Sequence, residues 1–235
     1  MTLRPSGFAG RALAVLAFGV AFGYVEAAVV VYLQGALGAA SGHLFPLQPA
    51  GGPSGHLIAI EAGRELATLV MLAAVGWLAG RGRLERLAWT AVAFGAWDLT
   101  YYGWLWVFSG WPPSLGTWDV LFLLPAPWVG PVWAPLAVSL ALIGVGLAAS
   151  RQLGAGAALR LATSQVLAGL VGGALVVASF LANVSLVLSG GVPRDYPWPL
   201  FVAGLALAVG AAGTSLAASR PIREREHAPR SDMIG

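Results

Sequence analysis

Cysteine and lysine are both absent from the 235 residues, and charged residues of every kind make up only 10% of them. Without cysteine, disulfides, zinc–thiolate sites and thiol nucleophiles are excluded. Without lysine, Schiff-base chemistry and a lysine general base are excluded too. Histidine is nearly absent, with three copies and none inside an apolar stretch. That removes the Glu-x-x-His pairs of four-helix di-iron sites. His-Glu-x-x-His, a phosphate-binding glycine loop and a Gly-x-Ser-x-Gly elbow are also missing.

Apolar residues fill the space, at 58% of the chain, and the mean hydropathy is +0.78. These values suit a chain dissolved mostly in lipid. Six stretches reach the ~20 residues that a bilayer requires: about 12–37, 57–79, 86–109, 131–150, 165–189 and 198–219. The sequence therefore predicts an all-α, polytopic bundle of six transmembrane helices, forming one domain over 1–219. The first stretch is far longer than the apolar region of a secretory signal and carries Glu26, so it reads as a retained helix. No internal repeat is evident, which counts against an inverted-repeat transporter.

The thirteen basic residues are all arginine. Eleven fall on one side of the six spans: Arg4 and Arg11, the Arg81/Arg83/Arg86 turn, Arg151 and Arg160, and four in the tail. The positive-inside rule makes that side cytoplasmic, with both termini inside and the inner (cell) membrane as location. This asymmetry accounts for the basic pI near 9.8, so no nucleic-acid surface is expected. The tail, 220–235, is polar and mixed in charge, and is expected to be disordered.

Against this background, intramembrane charge is the signal, because an ionised side chain at the bilayer centre costs at least ~2.5–3.5 kcal/mol. Glu26 lies deep in the first span, and Glu61, Arg64 and Glu65 open the second. Asp98, Tyr101 and Tyr102 occupy the third, with Asp119 just beyond it. At 1.5 Å per residue Glu26 and Asp98 both sit ~16 Å below the outer surface, and the α-helical turn at Glu61–Glu65 sits ~6–12 Å below it. All fall in the outer half. Glu61, Arg64 and Glu65 stand at i, i+3 and i+4, as do Asp98, Tyr101 and Tyr102, so each set shares a face. Gly19 and Gly23 precede Glu26 at helical spacing, a small-residue stripe that turns this face into the bundle.

Residues 110–135 link the third and fourth spans through six prolines and several tryptophans. A continuous helix is forbidden there, and the segment is too apolar for a free loop. It reads as an aromatic, proline-rich interfacial or re-entrant segment, with a short helix over Thr117–Leu124 capped by Thr117. Trp118 and Asp119 are assigned to the site beneath it. Trp104, Trp106, Trp111, Trp128, Trp133 and Trp198 read as an interfacial aromatic belt.

Five carboxylates against one guanidinium leave an excess of four negative charges if all ionise. A low-dielectric slab holds that only by protonation or by binding cations. Oxygen-only donors favour Mg²⁺, Ca²⁺ or Mn²⁺, and Glu26, Glu61, Glu65 and Asp98 are the candidate ligands. His56 lies close enough to the Glu61 turn to join them, whereas His43 reads as a solvated loop residue. Three functions are compatible with this pattern: a cation- or small-ligand-binding pocket, catalytic or not, open to the outer face; a scaffold subunit of a larger membrane complex; and a proton- or cation-coupled transporter. The transporter requires polar groups in the inner half as well, and the sequence places almost none there. A scaffold would meet partner subunits or a second copy through the Gly/Ala faces of the fifth and sixth spans, where Gly204, Gly210 and Gly213 read as packing residues. Asn183 and Ser185 read as interhelical hydrogen-bond donors.

Overall fold

The computed structural model describes residues 7–36, 55–159 and 161–221. His43, Arg160 and the expected disordered tail beyond residue 221 lie outside the described residues.

The chain is mostly helical, and its elements follow the apolar stretches. Helices α1 (Phe8–Ala36), α2 (Gly55–Ala79), α3 (Arg83–Ser109) and α4 (Trp133–Gly154) come first. They are followed by α5 (Thr163–Leu181), the five-residue α6 (Val184–Leu188) and α7 (Trp198–Ala217). Phe8–Gly35, Trp133–Gly154, Thr163–Leu188 and Trp198–Ala217 are long and apolar enough to cross a membrane. The protein is thus a multi-pass membrane protein. Helices α2 and α3 are as long, at 25 and 27 residues, but carry more charge. The fifth stretch is broken at Ala182–Asn183, where the Asn183 side chain donates to the Asp195 carbonyl at 3.3 Å. That bond ties it to the following loop and not to a neighbouring helix.

Small residues set the packing. A Cβ at Gly19 would lie 2.6 Å from that of Ala96, so the expected glycine stripe on α1 does seat against α3. Gly95 and Gly146 give α3 and α4 the same close approach, and Gly172 faces Gly204 between α5 and α7. Gly210 and Gly213 have open space beside them, contrary to the packing role expected of them. Helix α3 is the central post, in contact with α1, α2 and α4. It ends at Gly110, whose left-handed φ of 69° suits glycine and whose N–H closes on the Trp106 carbonyl.

The segment between α3 and α4 is not helical. Strands β1 (Trp118–Phe122) and β2 (Trp128–Pro131) form an antiparallel hairpin, pairing Asp119 with Gly130 and Val120 with Val129, with a bulge between Val120 and Phe122. The expected helix over Thr117–Leu124 is therefore corrected. Eight residues are too few for a stable isolated helix, and Trp-Asp-Val-Leu-Phe is aromatic and β-branched, fitting a short strand. Pro125 and Pro127 sit in the turn, and Pro131 ends β2, where a missing N–H costs least. Two further pairings, Val132 N–H to Thr117 O and Trp133 N–H to Leu115 O, join the hairpin base to α4. A second, two-residue pairing joins β3 (Ala157–Ala158) to β4 (Arg220–Pro221), beside the ends of α4 and α7.

Most of the loop tryptophans pack inward rather than forming a belt. Trp111 is 8% exposed, and Trp133 stacks on Trp198 with ring centroids 3.5 Å apart. Trp106, 63% exposed, is the one that fits the belt reading best.

Candidate functional site

One face of α2 builds the first wall. Glu61, Arg64, Glu65 and Thr68 recur at i, i+3, i+4 and i+7, so all four project on one side of the helix. Arg64 pairs through Nη1 with Oε2 of Glu26 on α1, and its Nε donates to Glu61 Oε2 at 2.7 Å. The Thr68 hydroxyl donates to the other Glu26 oxygen at 2.9 Å. Glu26 is only 4% exposed and has both oxygens engaged.

Helix α3 and the hairpin supply the opposite wall. Tyr102 donates to Asp119 Oδ2 at 2.7 Å, and the Val120 N–H donates to Asp119 Oδ1 at 2.8 Å. Ser139 on α4 donates to Asp98 Oδ2 at 2.7 Å. Glu65 accepts the Leu123 N–H with both oxygens, each at 2.9 Å, which ties the hairpin to α2. Asp119 lies in the hairpin, outside the helical spans, and burial pushes its carboxyl up to about 7.

These groups surround a cavity of about 70 Å³, walled by Glu26, Arg64, Glu65, Thr68, Asp98, Tyr101, Tyr102 and Asp119 with Trp97. At ~30 Å³ per water, that is room for about two water molecules. The Trp97 indole N–H is buried and finds no acceptor among the described residues, while its ring stacks on Tyr101 at 6.3 Å. A site made of carboxylates, hydroxyls and one guanidinium can accept from a cation and donate to a neighbouring oxygen. It can also hold and pass protons.

Seven of the nine candidate residues line this cavity directly, and Glu61 stands behind it as the second partner of Arg64. Trp118 does not belong. It is not on the cavity wall and packs edge-on against Tyr196 at 6.0 Å. His56 is exposed and is not on the cavity wall. The expected hard-cation site is not supported: among the described residues no group of three His, Asp or Glu could hold a metal ion. Arg64 occupies the position between Glu26 and Glu61, while Glu65 and Asp98 are engaged elsewhere.

Thr68, Trp97 and Ser139 escaped the sequence reading. Thr68 extends the α2 stripe by one more turn and was findable by that periodicity. Ser139 gives no such signal, being one hydroxyl in an apolar span. A second charged layer was also missed, at the opposite end of the bundle. Arg11 forms a buried ion pair with Glu85, which also accepts the Arg81 N–H at 2.9 Å. Arg11 adds a bond to the Ala79 carbonyl at 3.1 Å and lies over the Trp89 ring. Both residues stand just before the expected spans 12–37 and 86–109, at their ends and not within them. Between the two layers the interior is apolar, filled by Val15, Phe22, Leu72, Trp89, Val92 and Trp97.

Comparison with protein-family models, with curated proteins and with solved structures gives no match.

Proposed function

We propose that this is a six-span inner-membrane protein whose polar cavity, in the outer half of the bilayer, binds a small cationic or hydrogen-bond-donating group entering from the outer face. The observation that carries the reading is the convergence of Glu26, Glu65, Asp98 and Asp119 on one small cavity with a single guanidinium beside them. An acidic excess in a slab of low dielectric favours an incoming positive charge or proton. The lengths of α2 and α3 support their service as the second and third spans. The arginine distribution supports cytoplasmic termini, with the hairpin on the outer side and residues 220–235 as a cytoplasmic tail.

A scaffold subunit is the second reading, and one observation favours it: each carboxylate of the cluster already has a protein partner. In that case the network serves to fix the hairpin on the bundle, and a partner subunit or second copy would cover the open Gly210 and Gly213 face of α7. No comparable observation favours a transporter, since the apolar layer separates the two charged ends.

The cysteine-free chain allows a clean test. Val120 lines the cavity and is partly exposed, so Val120→Cys reports access without removing a polar group. In intact cells, a membrane-impermeant cationic methanethiosulfonate applied outside is expected to modify it. Absence of reaction from outside, in a variant that folds normally, contradicts the pocket and leaves the scaffold.

A further inference from the structure

The polar cavity has a large apolar neighbour. A groove of about 650 Å³ runs between α3, α4, α5 and α7 and under the hairpin residues Phe122 and Trp128. A cleft of about 400 Å³ continues it toward Leu84 and Gln165, and Leu87, Ala91, Leu142 and Val145 line both. From Asp98 to Leu84 the α3 wall rises ~21 Å at 1.5 Å per residue. One leaflet of the hydrocarbon core is ~15 Å deep, so the groove accommodates an extended lipid chain over its full length.

The two spaces share a wall. Asp98, Leu121 and Phe122 line both the groove and the polar cavity. Asp98 is 8% exposed; Ser139 donates to its Oδ2, and among the described residues no hydrogen bond reaches its Oδ1. Trp97, 7% exposed, lines the cavity on the other side. Among the described residues the other polar groups along the groove are Thr90, whose hydroxyl is spent on the Arg86 carbonyl, the Trp128 indole N–H beside the hairpin, and Gln165 and Ser215 in the far cleft. The groove is thus mostly apolar, with a carboxylate at the Asp98 end and only uncharged polar groups elsewhere on its walls.

We infer that groove and cavity are two halves of one lipid site, the groove holding the chain of a membrane amphiphile and the cavity its ammonium end. The inference rests on the pocket reading above and names the class of molecule. An ammonium suits the end because its three N–H donors meet an excess of carboxylate oxygens, with Asp98 Oδ1 the first free one along the groove. A carboxylate or phosphate end would meet like charge at Asp98 and Asp119 before reaching Arg64. An ammonium is also small enough for a cavity of about 70 Å³.

Gly169 and Gly173, one helical turn apart on α5, line the groove, and a Cβ at either meets nothing within 4 Å. Leucine at both positions extends into the groove from a Cβ that meets no neighbour. The full chain in phosphatidylcholine vesicles is photolabelled with a diazirine-bearing long-chain alkylamine, and with the alcohol and carboxylic acid of the same length. The amine is expected to label groove residues about tenfold more than the acid, a preference of ~1.4 kcal/mol. Gly169→Leu with Gly173→Leu is expected to reduce that labelling to background and leave the thiol reactivity of Val120→Cys unchanged. Equal labelling by all three probes, or amine labelling that survives the filled groove, overturns the lipid inference alone. An unreactive Val120→Cys overturns the pocket reading itself.

Discussion

Glu65 grips the hairpin by its backbone: both its carboxylate oxygens accept the Leu123 N–H, each at 2.9 Å. This is the direct tie between α2 and the segment that closes the cavity. Glu65→Ala leaves that amide without its acceptor, at ~1–3 kcal/mol. Hydrogen exchange over 118–131 is expected to accelerate in this variant far more than in the helices. Glu65→Gln, which retains one acceptor oxygen, is expected to lie between the two. Unchanged exchange in Glu65→Ala contradicts the tether.

Arg64 stands between Glu26 and Glu61, half-buried and bound to both. Removing it strands a carboxylate that is 4% exposed. Arg64→Ala is expected to cost ~3 kcal/mol in denaturant unfolding, because breaking a buried pair costs more than replacing it. Adding Glu26→Gln is expected to recover most of the loss. A double variant no more stable than Arg64→Ala contradicts that pairing.

Asp119 gives the pH dependence. Its carboxyl is raised to about 7, first by burial and also by the nearby Asp98, against the hydrogen bonds from Tyr102 and Val120. The folded chain holds this proton more tightly than the unfolded chain, whose aspartate titrates at ~3.9. Its contribution to stability is therefore full below about pH 4 and is lost as pH rises through about 7. Asp119→Asn is expected to flatten that part of the profile in thermal unfolding across the same range. A profile unchanged by the substitution contradicts this origin.

Two adjacent glycines of α5 separate packing from open space. A Cβ at Gly172 would lie 2.6 Å from the Ala208 backbone nitrogen, whereas one at Gly173 meets nothing. Gly172→Ala is expected to destabilise by ~1–3 kcal/mol through overpacking against α7. Gly173→Ala is expected to be neutral or stabilising by up to ~1 kcal/mol, since alanine favours the helix. Equal effects at both positions contradict the α5–α7 contact.

The site was legible in the sequence where helical periodicity writes it. Glu61, Arg64 and Glu65 had to share a face, and Gly19 and Gly23 turned Glu26 inward, because both follow from 3.6 residues per turn. The hairpin was not legible. Its pairing brings Trp128–Pro131 onto Trp118–Phe122, a nonlocal event that the proline-rich composition does not specify. Reading the segment as a lid over the site also placed Trp118 there, whereas Trp118 packs against Tyr196. Arg11 and Glu85 were hidden differently. Both lie near arginine-rich turns that already had an explanation in membrane orientation, so their mutual burial left no separate trace.

The central claim is that the cavity favours positive charge, and Val120→Cys measures this directly. Its modification rate is compared for cationic and anionic methanethiosulfonates of similar size, in the parent background and with Glu26→Gln and Asp98→Asn. The account predicts a cation-to-anion ratio of about ten or more, ~1.4 kcal/mol, falling toward one when both carboxylates are neutralised. A ratio near one in the parent background, or a high ratio untouched by the two substitutions, would contradict it.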